Sequence, residues 1–291
     1  MKKLTLFTLS VLFALCARSQ VAANDPVKTG KRFYVGVSYL YMSIDQKLSS
    51  LSLHSEWYGE DYGTYDLSDE EIDEVNSIID RSTAIHDINL EAGMSFIKNQ
   101  DSKWHFNGKI FFGIAGNDSE VSNNATDTLE YSFNSGLSRP AFGLGLDAGY
   151  HFNDRWALSL RPIFMGTMGK NTDIVDNIGP DPVNVTENTD DQYFTYYEHV
   201  SLTADFTAGA FTISVGPGFY WISSKHQYTI TRTNDLNGEL MIDEITSITT
   251  GKSFIDGNVA IEWRIIDPLT FYAAAGIGSD LFIDTGLHYN F

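Results

Sequence analysis

The chain has 291 residues and a formal net charge of −19, because 38 acidic residues face 19 basic ones. Such acidity argues against nucleic acid as a partner. The one cysteine, Cys16, lies in an apolar run near the N-terminus, so disulfides and thiol chemistry are excluded for the rest of the chain. No His/Cys cluster has zinc-like spacing, and we expect neither a metal nor another cofactor.

The N-terminus has the pattern of a secretory signal peptide. Lys2 and Lys3 precede an apolar run over 4–15, and Ala17-Arg18-Ser19 is typical of a cleavage site before Gln20. We therefore predict a signal peptide over 1–19 and a periplasmic segment over 20–31. The run is too short for a membrane helix, and no later run approaches the ~20 apolar residues that such a helix needs. An exported protein that crosses a membrane in another way must be a closed β-barrel.

The first element after the leader is a strand, because apolar residues alternate from Phe33 to Tyr41. An acidic outer loop is predicted near 45–84. Within it, Ser68 and Glu71 have the spacing of a capping box, and apolar residues recur at helical spacing after Glu71. A short amphipathic helix is therefore expected in this loop.

Period-two alternation continues to the end of the chain and predicts nine further strands. The turns near Asn99, Asn153, Gly209 and Asp267 are short, whereas further long loops are expected near 116–135, 170–192 and 223–252. Short turns on one side and long loops on the other are typical of outer-membrane barrels. The count is ten strands, or twelve if the hairpin over 228–248 enters the membrane.

Aromatic residues support the barrel, because six of them fall at the short-turn end. An interfacial girdle of this kind flanks the apolar band of membrane barrels. Trp221 lies ten residues beyond Phe211, about 33 Å along a strand and about 25 Å once tilted, which matches the height of that band. The predicted girdle comprises Trp104, Trp156, Phe211, Trp221, Trp263, Tyr289 and Phe291.

The last eight residues carry a resemblance to a known class. Asp284, Gly286, Tyr289 and Phe291 stand at the positions of the C-terminal signal of Gram-negative outer-membrane β-barrel proteins, which the chain resembles. The resemblance implies an all-β, antiparallel up-and-down barrel over 32–291, located in the cell outer membrane. It also implies that Gly286, Tyr289 and Phe291 form an assembly signal. The implied partners are outer-membrane lipid, lipopolysaccharide and the barrel-assembly machinery.

The inward face of the predicted barrel is polar and charged. Two interpretations are open. The inward face could form a structural polar core with paired charges, or it could line a narrow porin-like pore whose excess of acidic residues favours cations. The predicted lumen-lining residues are Asp87, Glu91, Lys109, Asp147, Arg161, Asp205, Glu262 and Arg264.

An enzyme is a third possibility, because omptin proteases and lipid A deacylases resemble this architecture. His86-Asp87 and His226 are predicted near the outer ends of their strands, but no motif of those hydrolases can be placed residue by residue. We therefore predict no catalysis. The leading prediction is a structural or surface-interaction role, with a narrow cation-preferring pore for small solutes as the alternative and a protease or lipid deacylase third.

Overall fold

A computed structural model describes residues 33–96, 102–123, 128–134, 137–176, 185–234, 239–277 and 281–291. The predicted signal peptide and the segment over 20–31 lie outside these residues. The described residues form β1 (Phe33–Trp57), β2 (Glu60–Asp66), α1 (Asp69–Ile78), β3 (Ile79–Ser95), β4 (Trp104–Asn123), β5 (Thr128–Asn134), β6 (Arg139–His151), β7 (Trp156–Asp176), β8 (Val185–Ala208), β9 (Phe211–Asn234), β10 (Leu240–Ile266), β11 (Leu269–Ile277) and β12 (Leu281–Asn290). The one helix among them is too short to cross a membrane.

Ten of the strands close into a ring, which confirms the predicted antiparallel barrel. Each ring strand pairs with the next one along the chain, in the order β1, β3, β4, β6, β7, β8, β9, β10, β11, β12. The ring closes because β12 pairs with β1 from Tyr34↔Asn290 to Ser43↔Leu281. Two backbone hydrogen bonds between Phe33 and Phe291, of 3.0 and 3.5 Å, extend this seam to its end.

The remaining strands lie beyond the ring, at the end opposite the short turns, here called the long-strand end. β2 pairs with β1, and β5 pairs with β4. The hairpin over 228–248 is the continuation of β9 and β10 and adds no strand to the ring. Because β11 and β12 are short, β1 pairs above them directly with β10, from Lys47↔Thr250 to Trp57↔Met241.

Much of what the sequence predicts as outer loop is therefore strand. β8 and β9 pair as far as Val185↔Asn234, and most of 45–84 lies in β1, β2, α1 and β3. In these stretches polar side chains occur on both faces, so alternation is weak although backbone pairing continues. The predicted helix is α1, and its capping box is present: Ser68 accepts from the Glu71 backbone, and Glu71 accepts from the Ser68 backbone.

An apolar band covers the outside of the ring. Its members are leucine, isoleucine, valine and phenylalanine side chains that are more than a third exposed. A band this large on a soluble protein would be covered by a partner, whereas a closed barrel exposes it to lipid. The chain is thus an outer-membrane-type barrel, located in the cell outer membrane. Members of the band include Val37, Leu90, Ile110, Phe112, Leu144, Leu158, Leu202, Ile213, Val259 and Leu287.

Candidate functional site

The inside of the barrel has layers, and the layer nearest the short turns is charged. Glu91 is buried there, and three neighbours approach its carboxylate. Lys109 Nζ lies 3.7 Å from it, His288 Nε2 lies 2.8 Å from it, and the Tyr272 hydroxyl donates to it at 2.9 Å. The same hydroxyl lies 3.0 Å from Asp284. Glu91 is therefore held in a saturated network.

A second charged cluster centres on Arg161. Its Nη2 donates to Asp205 at 2.8 Å, and its Nε lies 3.4 Å from Asp147. Asp147 also lies 3.0 Å from His105 Nε2. Three of the five predicted lumen-lining carboxylates therefore face cations: Glu91, Asp147 and Asp205. These three pairs fit a structural polar core with paired charges.

A cavity of about 350 Å³ lies between these clusters. It extends from Phe33 and Asn290 at the short-turn rim to Phe282 and His199. Glu262 lines it with an exposed side chain. Arg264 is not part of the lining: its Nη2 is 3.5 Å from the Gly209 carbonyl oxygen, at the short-turn rim. Arg264 lies two residues after Glu262 on β10, nearer the short turns, and its side chain is therefore outside the cavity.

Above the cavity an apolar plug fills the lumen, and the alternation of apolar and polar residues does not predict it. His199 and Tyr220 stack in parallel with ring centroids 4.4 Å apart, and Phe282 packs against both rings. The plug residues are all less than a tenth exposed, and they come from strands around the ring. They are Leu40, Met42, Ile44, Ile85, Phe111, Ala115, Ala141, Ile163, Met165, Tyr197, Tyr220, Ile222 and Phe282.

Asp87 lies at the level of the plug and is fully buried. The Tyr197 hydroxyl donates to its Oδ2 at 2.6 Å, whereas its Oδ1 has no hydrogen-bond partner among the described residues. Within that part of the chain, no cationic nitrogen lies within ion-pair distance of Asp87. Asp87 on β3 and Tyr197 on β8 are therefore joined by a hydrogen bond across the lumen, and this bond holds the Tyr197 side chain in the plug.

A polar layer follows above the plug. The Arg139 guanidinium lies 3.1 Å from the centre of the Tyr193 ring. His226 also packs on Tyr193, with centroids 5.5 Å apart. Asp191 and His226 lie above the level of Trp221 and thus outside the membrane span. Burial lowers the pKa of His226 and raises that of Asp191.

The residues considered for hydrolysis do not come together. His86 lies on the outer face, where Nδ1 is 2.9 Å from the Tyr39 hydroxyl and Nε2 is 3.1 Å from Asp118. Asp87 points into the lumen, as expected for adjacent residues of one strand. The serine two residues before His226, Ser224, has its hydroxyl 3.1 Å from that of Thr195. Among the described residues, no group of acidic, His or Cys side chains could hold a metal ion.

The predicted girdle residues lie near the barrel ends. Trp104 is 61% exposed and packs on Tyr150, and Trp156 packs on Phe206. Phe211 and Trp263 stack on neighbouring strands with centroids 5.8 Å apart.

Three further aromatic residues complete the girdle. Tyr289 and Phe291 form a contact beside the seam. Trp221 packs on Tyr196 at the upper boundary of the apolar band.

The long-strand end carries an exposed hairpin formed by β1 and β2. Asp243 of β10 holds the turn end of this hairpin, because it accepts from Ser55 Oγ at 2.7 Å and from Trp57 Nε1 at 3.0 Å. Arg232 also donates to Asp243 at 3.3 Å. The hairpin therefore stands in a defined position above the ring.

No family model and no curated protein matches this chain. Solved structures of outer-membrane barrels are similar over most of its length. The transport unit of the Escherichia coli autotransporter AIDA-I has 10% identity and a TM-score of 0.35, covering 96% of this chain and 97% of its own. The Escherichia coli outer membrane protease OmpT has 10% identity and a TM-score of 0.37, covering 93% and 100%.

An outer membrane channel from Pseudomonas putida F1 is also similar, with 9% identity and a TM-score of 0.32, covering 92% and 100%. These TM-scores are low. The architecture rests instead on the chain's own closed strand pairing and apolar band, and these identify it as an outer-membrane β-barrel of no specific family.

Proposed function

We propose that this protein is a closed, non-conducting outer-membrane barrel that holds a β-rich extension on the cell surface for binding a partner, without catalysis. The plug is the observation that supports a closed, non-conducting lumen. Its side chains come from around the ring, and they are less than a tenth exposed. Ten strands enclose a lumen narrow enough for side chains to fill.

The length of the strands supports the second part. β9 continues past Trp221 to Asn234, which is about 40 Å of strand and about 30 Å of height once tilted. Short turns face the periplasm in barrels of this type, so the extension faces outward. Crossing the membrane requires only the ~25 Å of the apolar band, so the extension is available for another role.

Planar-bilayer conductance tests the closed lumen. The wild-type barrel is expected to give no ion steps, whereas a double variant Tyr220→Ala and Phe282→Ala is expected to conduct because it removes two rings of the plug. Phe112→Ala is the matched control, since this ring is 68% exposed on the outer face. Steady wild-type conductance whose ion selectivity changes in Glu262→Gln would support the narrow pore instead.

Cysteine labelling tests the orientation. Gln227 is exposed on the β9 extension, and Asp154 is exposed in a short turn. A membrane-impermeant maleimide is expected to label Gln227→Cys on intact cells and Asp154→Cys only after lysis. The reverse pattern would refute a surface role for the extension.

A further inference from the structure

β2 is an open sheet edge. It ends the strand order, with β1 as its neighbour on one side and no strand on the other in the part of the chain that the structure describes. All seven of its residues are exposed. An unpaired edge presents backbone N–H and C=O groups that can pair with another extended segment.

The edge is held rigid. The hairpin turns through Tyr58 and Gly59 at φ +56° and +79°, the signs of a two-residue type I′ turn. Tyr58 N–H donates to the Leu240 carbonyl at 2.8 Å, and the Tyr65 hydroxyl donates to Glu71 of α1. Natural sheets usually blunt exposed edges with proline, lysine, a bulge or a covering element. β2 has neither proline nor lysine, and its pairing with β1 has one register shift, between Ser55 and Glu56.

The side chains on this hairpin suit a cationic partner. Trp57, Tyr58, Tyr62 and Tyr65 are 38–62% exposed, and aromatic faces attract lysine and arginine. Residues 48–80 contain ten acidic residues and no lysine or arginine. Like charge therefore opposes a second copy of this hairpin and also the phosphates of lipopolysaccharide.

We propose that β2 binds an extended, lysine- or arginine-rich protein segment by strand addition. This rests on the proposed surface-binding function and names its partner. The backbone of the incoming segment pairs with the free edge of β2. Its cations meet the carboxylates of Glu60, Asp61 and Asp66 and the exposed rings beside them.

The binding test uses the purified full-length barrel in a nonionic detergent and three capped ten-residue peptides. One alternates arginine and valine, one alternates glutamate and valine, and one alternates arginine and proline. We expect only the arginine–valine peptide to bind. Glutamate meets like charge, and alternating proline favours polyproline II and leaves half of the residues without a backbone N–H. Binding is expected to weaken as salt rises, since salt screens exposed charges.

Variants locate the site. Glu60→Lys with Asp61→Lys is expected to weaken binding by about tenfold or more, and Tyr62→Ala is expected to weaken it severalfold. The matched control is Asp154→Lys in a short turn. Equal binding of the arginine–proline peptide, or equal binding to the lysine variant, would overturn strand addition at β2. Self-association of the wild type that Glu60→Lys abolishes would assign this edge to a second copy and likewise overturn it.

The proposed surface function can fail or hold independently of the β2 proposal. Absence of peptide binding, with Gln227→Cys still labelled on intact cells, refutes the β2 proposal alone. Absence of that labelling refutes the surface role itself.

Discussion

At the residue scale, the stability of the barrel is expected to be sensitive to single substitutions in the buried pair of Asp87 and Tyr197. One carboxylate oxygen has its donor in Tyr197, and the other has no partner in the described chain. Tyr197→Phe is expected to lower the free energy of unfolding by about 2 kcal/mol, because it leaves a buried acceptor unsatisfied. Urea unfolding in detergent, followed by tryptophan fluorescence, measures the loss.

A double variant separates the bond from the packing. Replacing both partners, as Asp87→Leu with Tyr197→Phe, is expected to cost less than Tyr197→Phe alone, because no polar group then stays buried without a partner. Tyr289→Phe is the control, since its hydroxyl lies on the exposed outer face. An unchanged stability of Tyr197→Phe would contradict the assigned role.

Glu71 gives α1 a dependence on pH. The Tyr65 hydroxyl and the Ser68 backbone donate to its carboxylate, and these bonds lower the pKa of Glu71. A depressed pKa means that the stabilisation is present above the ordinary glutamate pKa of about 4.3 and is lost as pH falls through the folded value. We expect hydrogen-exchange protection of α1 to fall below about pH 4. Glu71→Ala should show low protection already at pH 7, whereas Glu71→Gln, whose amide oxygen can still accept from the Ser68 backbone, should show protection that does not change over this pH range.

The plug shows where residue patterns stop being informative. Phe33, Val35 and Val37 lie on the outer face, where they are 46–52% exposed, and they alternate with Tyr34, Gly36 and Ser38, which are more polar. At Leu40, Met42 and Ile44 the inner face of β1 becomes apolar, while Ser43 and Asp45 make the outer face polar. Period two therefore no longer distinguishes lipid from lumen. Only closure of the ring shows that the inner set meets across a narrow lumen.

At the element scale, α1 fills a gap between strands. β1 and β3 pair as far as Gln46↔Arg81 and then separate. The Asn76 side chain takes the place of a strand neighbour there, because it accepts from Leu48 N–H and donates to the Leu48 carbonyl, both at 2.8 Å. An amide side chain offers both groups that a neighbouring backbone would offer.

Asn76 is therefore expected to hold α1 against β1. Asn76→Ala should expose both Leu48 backbone groups and raise amide exchange at Leu48 and along α1. Asn76→Asp should have a larger effect, since a carboxylate keeps the acceptor but faces the Leu48 carbonyl with another acceptor. Ser77→Ala on the same helix is the control. Exchange at Leu48 that stays at the wild-type rate in Asn76→Ala would refute the docking role.

Helix α1 was predictable because a capping box is a local signal, complete within Ser68 and Glu71. The upper half of β1 was not predictable, because its cause is non-local. It pairs with β10 across about 200 residues, as in Lys47↔Thr250, and its polar side chains resemble those of loops. For the same reason the open edge of β2 appears only in the folded sheet.

At the scale of the whole molecule, closure depends on the seam between β1 and β12. The predicted assembly signal lies on this seam, and its residues have different surroundings. Phe291 is 56% exposed on the outside. Gly286 is covered by the Tyr272 ring: a Cβ there would lie 2.5 Å from Tyr272 Cε1 and 2.8 Å from the Val37 carbonyl oxygen.

These surroundings predict two distinct defects. Phe291→Ala removes few internal contacts, so it should reduce the amount of barrel that assembles while leaving the urea unfolding of the assembled barrel unchanged. Gly286→Ala must displace Tyr272 and break its bonds to Glu91 and Asp284, so it should lower the stability of the barrel that does assemble by about 1–3 kcal/mol. Heat-modifiable gel mobility measures assembly, and Leu287→Ala on the outer face of β12 is the control.

If Phe291→Ala assembled fully, the terminal ring would be a lipid anchor and the signal prediction would be wrong. If Gly286→Ala were as stable as the wild type, the Tyr272 ring would have moved without lowering the free energy of unfolding. The hydrogen bonds of Tyr272 would then not stabilise the seam.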